Sequence, residues 1–280
     1  MKDLRKDSIL VCPRNDEESL TILQIAEALG LSVVESAQPH GAKLDREPDL
    51  IGCLQETNPD ARTLVIVELP GERTEKELQD LGYEIVIIDH HTYDDLDRMK
   101  PQSSLEQFLA VYDVDDMLLR ALGFDPEMVA AVAAIDRGFL WELDNFGWSE
   151  AKKTKARKYY RSLTMELGSA RREKEEAAAK EAWAQREERD GLIIIRSEAD
   201  DISVRDPISF IVADEIGKPT QLLIVQGHRR MYVQESDAVA RLKEAFGGFT
   251  FGQNRCWGIL KEDGTLPSVD EVVGVILGTS

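Results

Sequence analysis

The chain has 280 residues, 42% apolar and 31% charged, a length and balance that predict two domains with buried cores and exclude wholesale disorder. Acidic residues outnumber basic ones 53 to 34, and the formal net charge of -19 repels a long polyanion. Long duplex nucleic acid is therefore disfavoured as a partner, while short oligonucleotides and small phosphate esters stay open because a bound divalent cation can dominate the local field.

No run of about 18 apolar residues occurs, and the opening MKDLRKDSILVCP breaks into charge and proline before a signal core could form. Cys12, Cys53 and Cys256 are too scattered for a disulfide framework or a CxxC zinc site. The expectation is a soluble, cytoplasmic protein with no membrane association.

In chain order, Ser8 to Cys12 (SILVC) is predicted as a strand and Glu18 to Leu29 as a helix closed by Gly30. A second strand begins at Leu31 to Val34. Thr63 to Leu69 (TLVIVEL) is a third, stopped by Pro70 and Gly71, and Glu84 to Ile88 (EIVII) is a fourth that runs into Asp89. Helical patterns continue from Ser103 to about Gly138. This alternation predicts an α/β domain over residues 1–148, a mostly parallel sheet with helices on both faces. Residues 149–190, rich in Lys, Arg, Glu and Ala, read as a charged helical linker. Residues 191–280 then give a smaller, mixed α/β domain, with strands at Leu192–Arg196, Gln221–Gln226, Met231–Gln234 and Cys256–Leu260 and helices at Pro207–Ile216, Ala238–Phe246 and Val269–Leu277.

Laid side by side as a parallel sheet, three strands end in polar residues at one edge: Cys12, Glu68 and Asp89. Ligands of open α/β sheets bind outside that edge. The loop after Cys12 adds Asp16 and Glu18, and the segment after Asp89 adds His90, His91, Asp94 and Asp95. Carboxylates crowded with imidazoles repel one another unless a divalent cation such as Mg, Mn or Zn lies among them. A plainer explanation stands beside this one: Asp16 and Glu18 also sit where a helix N-terminus favours acids.

The run IVIIDHH at residues 85 to 91 resembles the signature strand of the DHH phosphoesterases, which include family II inorganic pyrophosphatases, oligoribonucleases acting on very short RNA, and single-strand exonucleases. The other segments follow in the family's order. LVCPRNDEES at 10 to 19 takes the place of the first motif, VIVELPG at 65 to 71 that of the second, and AAIDRG at 133 to 138 that of the fourth. FGGFTFGQNRCWG at 246 to 258 stands where the family's second domain has a Gly-Gly-His run, with Phe249 in place of the histidine.

The resemblance implies a metal site of Cys12, Asp16, Glu18, Glu68, His90 and Asp136, with His91 facing the substrate phosphate and Asp89 serving as a ligand or as partner to a histidine. It also implies substrate contacts from Gly247, Gly248 and Arg255, although a helix end and a turn would explain the glycines. Cys12, Glu18 and Glu68 stand where the family has His, Asp and Asp. The thiol is softer than the oxygen donors that Mn and Mg prefer, which leaves room for Zn or another metal, or for none. The expected activity is hydrolysis of a small phosphoester, short oligonucleotide or phosphoanhydride by metal-activated water. The alternatives are a degenerate, non-catalytic relative that binds a nucleotide or protein partner, and a receiver-like module. A homodimer is compatible with all three.

Overall fold

The computed structural model describes residues 4–93, 96–252 and 254–278. Four short apolar runs become strands β1 (Ser8–Pro13), β2 (Ser32–Ser36), β3 (Thr63–Val67) and β4 (Glu84–Ile88), which pair in parallel in the order β2-β1-β3-β4. The central strands β1 and β3 are buried along their whole length, as continuous apolar runs covered on both faces must be. Successive residues alternate between two cores. Leu10, Cys12, Val65 and Val67 face the helices Glu17–Leu29, Ser104–Val111 and Pro126–Gly138. Ile9, Val11, Leu64 and Ile66 face the layer holding Leu50 and Leu54 of the helix Leu50–Thr57 and Leu78 of the helix Glu72–Asp80.

The chain divides into two compact units, residues 1–137 with 148–164 and residues 138–147 with 165–280. The stretch read as a charged linker supplies both: the helix Glu150–Leu163 lies in the first unit and the helix Met165–Ala184 in the second.

The second unit is a mixed sheet in the order β5-β6-β7-β8-β10-β9, formed by β5 (Glu187–Arg189), β6 (Leu192–Ser197), β7 (Leu222–Gln226), β8 (Arg230–Gln234), β9 (Phe249–Phe251) and β10 (Cys256–Leu260). Only β6 and β7 pair in parallel, and the helix Arg205–Glu215 makes their crossover. The helices Val239–Phe246 and Val269–Leu277 cover one face over a core centred on the fully buried Trp257.

Two differences from the sequence reading have local causes. The third strand stops at Val67 rather than Leu69, because Glu68 turns to a positive φ of 48° and leaves the ladder. The edge strands β5 and β9, each three residues long, escape an apolar-run criterion. Asp190 and Gly191, with φ of 51° and 83°, make the tight turn that folds β5 back onto β6. Among the described residues no helix is long and apolar enough to cross a membrane.

Candidate metal centre

β1, β3 and β4 end side by side, with Val11 opposite Ile66 and Val67 opposite Ile88. Each strand end then follows its own path. After β1, Asp16 caps the helix Glu17–Leu29, its Oδ1 accepting the Ser19 backbone N–H at 2.8 Å. That cap fixes the first helical turn so that Glu18 points inward and is 1% exposed. After β3, Glu68 takes the left-handed conformation, which costs a residue with a Cβ about 1–2 kcal/mol. Its backbone N–H donates to the Ile88 carbonyl at 2.9 Å. After β4 come Asp89, His90 and His91. The fourth contributor, Asp136, lies in the last turn of the helix Pro126–Gly138.

Glu18, Glu68, His90 and Asp136 each offer a donor atom, and all four atoms lie within 4.8 Å of one another. His90 Nε2 stands 2.9 Å from Asp136 Oδ2, 3.4 Å from Glu68 Oε1 and 3.9 Å from Glu18 Oε2. A second group, Glu68, His90 and His91, shares two of these members. Glu18 is divided between two tasks. Its Oε1 accepts the Leu105 backbone N–H at 2.8 Å, at the N-terminus of the helix Ser104–Val111 where an anion is favoured. Its Oε2 is left to the cluster.

Glu18 Oε2, Glu68 Oε1, His90 Nε2 and Asp136 Oδ2 are buried and make no hydrogen bond among the described residues. Buried polar atoms are nearly always hydrogen-bonded, and a buried acceptor without a partner costs about 1–3 kcal/mol. Four such atoms aimed at one another are what a coordination site looks like.

The electrostatics follow from the same crowding. Burial, then the Asp136 and Glu68 carboxylates, push Glu18 well above the ordinary carboxylate range. Burial and those two neighbours raise Asp16 to about 6. Against the desolvation that burial imposes, the Asp136 and Glu68 carboxylates lift His90 to about 10. Against its own burial, Glu68 is held at about 2 by the two histidines. Protons and one another's charges hold the group together; a dication would replace both.

The residues singled out in the sequence are thus brought together unequally. Glu18, Glu68, His90 and Asp136 converge, with His91 beside them. Asp16 is the helix cap and is not among the groups whose donor atoms share the 4.8 Å cluster. Neither is Cys12, whose Sγ packs in the core with the Ser19 and Pro13 carbonyls at 3.9 and 3.5 Å. Burial raises its thiol well above the usual value, and the Asp16, Glu68 and Glu18 carboxylates add to this. Asp89 is fully buried and turned to His91, accepting its backbone N–H and facing its Nδ1, both at 3.1 Å. Asp94 and Asp95 lie outside the described residues.

In the second unit, Gly247 ends the helix Val239–Phe246 with φ of 73°, its N–H on the Lys243 carbonyl and its own carbonyl accepting Trp257 Nε1 at 2.8 Å. Gly248 has φ of 84°, and a Cβ there would fall 2.3 Å from the Gly258 carbonyl oxygen. Arg255 is ion-paired with Glu235. Sequence reasoning missed Tyr93, Arg98 and the Leu105 backbone N–H, which all touch site carboxylates. Only the Ser103–Glu106 capping pair hinted at the last of these, by marking where that helix begins.

No protein-family model matches the chain, and no curated protein sequence matches it. Among solved structures, the exonuclease RecJ bound to manganese is 16% identical, covering 99% of this chain and 94% of its own at a TM-score of 0.46. An exopolyphosphatase-related protein from Bacteroides fragilis is 12% identical, covering 98% and 91% at 0.47. The pGpG-specific phosphodiesterase PggH from Vibrio cholerae is 13% identical, covering 97% and 98% at 0.47.

Proposed function

We propose that the chain is a divergent DHH phosphoesterase, a divalent-metal-dependent hydrolase of small phosphoesters, short oligonucleotides or phosphoanhydrides. The observation that carries this reading is the convergence of four buried donor atoms without hydrogen bonds, at the end of the strand that bears Asp89, His90 and His91. Three carboxylates and an imidazole suit a hard or borderline cation, and with the Cys12 thiol outside the cluster manganese or magnesium fits better than a thiophilic metal. Glu18, Glu68, His90 and Asp136 would hold the cation. Bound there, it would lower the pKa of a water and neutralise charge developing on the phosphoryl oxygens.

The chain's own groups do the rest. The N-terminus of the helix Ser104–Val111 holds Glu18 in place through Oε1, so that its second oxygen faces inward. His91, 48% exposed where His90 is 8% exposed, is the histidine that reaches out to meet a phosphate. With Nδ1 turned to Asp89, its Nε2 is the atom that would hold or give a proton to the substrate.

A second reading, a phosphate-binding protein that has lost hydrolysis, rests on Cys12 and Asp16 standing apart from the cluster. Elemental analysis of the purified protein, coupled to a phosphodiester hydrolysis assay with and without manganese, separates the two. Near-stoichiometric metal, with metal and turnover both lost in His90→Ala, is the expected result. Absence of metal and turnover under every cation tried would leave the binding reading.

A further inference from the structure

We infer that Tyr93 and Arg98 are positioning residues for His91, acting through the buried carboxylate of Asp89; this rests on the phosphoesterase reading only for its effect on turnover. Asp89 is 0% exposed, and its two oxygens have separate duties. Oδ1 faces His91, taking the backbone N–H and standing 3.1 Å from Nδ1. Oδ2 faces away, accepting the Tyr93 hydroxyl at 3.1 Å with Arg98 Nη1 at 3.9 Å. The Asp89 backbone carbonyl accepts from Gln107 Nε2 at 3.0 Å, so the residue is held at both its main chain and its side chain.

Arg98 is itself anchored. Its Nη2 pairs with Glu75, whose Oε1 also accepts the Gly71 backbone N–H at 3.1 Å, in the turn that follows Glu68. The Arg98 backbone N–H donates to the His91 carbonyl at 3.0 Å, which ties Arg98 to the histidine it serves, and the Tyr93 N–H donates to the Leu96 carbonyl at 2.8 Å. Arg98 Nη1 is buried and has no hydrogen bond among the described residues, which leaves the Asp89 carboxylate as the charge it serves.

A fully buried carboxylate is costly to keep ionised without a cation and donors near it. With the guanidinium and the phenol on Oδ2, Asp89 stays an acceptor with Oδ1 aimed at His91, and the ring is fixed as the Nδ1–H tautomer. That turns Nε2 away from Asp89 and outward, where it meets a cation as a bare nitrogen or, protonated, donates to a phosphate. Without the guanidinium and the phenol nothing on Oδ2 holds the carboxylate in place, Oδ1 can turn from His91, and the imidazole loses the acceptor that sets its tautomer. The Tyr93 ring, 6.1 Å from that of His91, limits how far the imidazole can swing.

The test uses the full-length chain labelled with 13C and 15N at histidine, in magnesium buffer at pH 9, with the His91 resonances assigned through His91→Gln. The expected wild-type signal is Nδ1–H. In Tyr93→Phe and Arg98→Met it shifts towards a mixture of tautomers, and Arg98→Lys, which keeps the charge, retains more of the wild-type form. Where hydrolysis is measurable, kcat of Tyr93→Phe falls about tenfold with KM little changed, the size typical of losing a partner behind a functional histidine. If His91 keeps the Nδ1–H form in both Tyr93→Phe and Arg98→Met, the inference is overturned whatever the turnover. If the tautomer shifts while no phosphoester is hydrolysed even by wild type, the positioning role stands and the proposed activity fails. Tyr93→Phe removes one hydroxyl only, so it decides the matter should Arg98→Met not fold.

Discussion

The sheet edge of the first unit and the glycine segment of the other unit both carry candidate site residues in the sequence, yet they differ in how their polar groups are used. At the first edge, four buried donor atoms point at one another without a hydrogen bond among the described residues. In the glycine segment, Trp257 Nε1 rests on the Gly247 carbonyl and the Gly247 N–H on Lys243, and the one buried carboxylate oxygen beside it without a hydrogen bond among the described residues, Glu235 Oε2, faces the Arg255 guanidinium. Groups with partners of this kind explain themselves as structure. Groups left without partners, where burial makes that expensive, ask for something else to bind.

The sharpest way to break this contrast is His90→Ala. Removing the donor nearest to three carboxylates should abolish stoichiometric metal and lower turnover by roughly 10²–10³-fold, since a catalytic cation is worth several kcal/mol to the transition state. Metal retained at full occupancy in that variant would place the ion elsewhere.

Gly248→Ala tests the other side. A methyl group against the Gly258 carbonyl, on a backbone with φ of 84°, should cost about 3 kcal/mol in urea unfolding while leaving metal content unchanged. Lost metal with intact stability would reverse the assignment of the two regions.

The pH dependence of the metal-free protein sharpens the comparison further. Asp16 is raised from 3.8 to about 6, so its folded form binds the proton more tightly than the unfolded chain, and stability falls as pH rises through that window. His90 is raised from 6.5 to about 10; the stability it supplies is complete below 6.5 and is lost as pH rises to about 10. Both slopes have the same sign. Manganese should oppose the decline, because it binds the deprotonated ligands and gains affinity as pH rises. Unfolding midpoints at pH 5, 7 and 9, with and without the ion, measure this; Asp16→Asn should flatten the first window, and His90→Gln the second.

The smallest effect belongs to Arg255→Ala. The arginine is 42% exposed but Glu235 only 7%, so loss of the ion pair strands a largely buried carboxylate and should cost about 1–2 kcal/mol of stability. A KM rise of tenfold or more with unchanged kcat would show that it also holds substrate.

Much of the framework was legible because period and burial coincide. The runs that became β1, β3 and β4 are apolar throughout, and Gly30 ends its helix in the left-handed conformation that the sequence implied. The strand-end position of Asp89, His90 and His91 was legible for the same reason. The packing of Cys12 was legible too, since it lies two residues after Leu10 and so shares that residue's side of the sheet and its core. Motif spacing alone could not tell a donor from a packing residue there. Tyr93, Arg98 and the Leu105 N–H were hidden for a different reason. Leu105 meets Glu18 across 87 positions, and Tyr93 and Arg98 reach Asp89 from 4 and 9 positions away through irregular backbone, where no helix or strand period applies.

Glu187–Arg189 carries one more consequence. The strand is three residues long, wholly solvent-facing and charged at every position, and it forms one rim of the six-stranded sheet. Short, charged rims are poor templates for a further strand. On that side the sheet has a guard against growth: another chain trying to extend it would meet two glutamates and an arginine before any free backbone, which steers self-association away from β5.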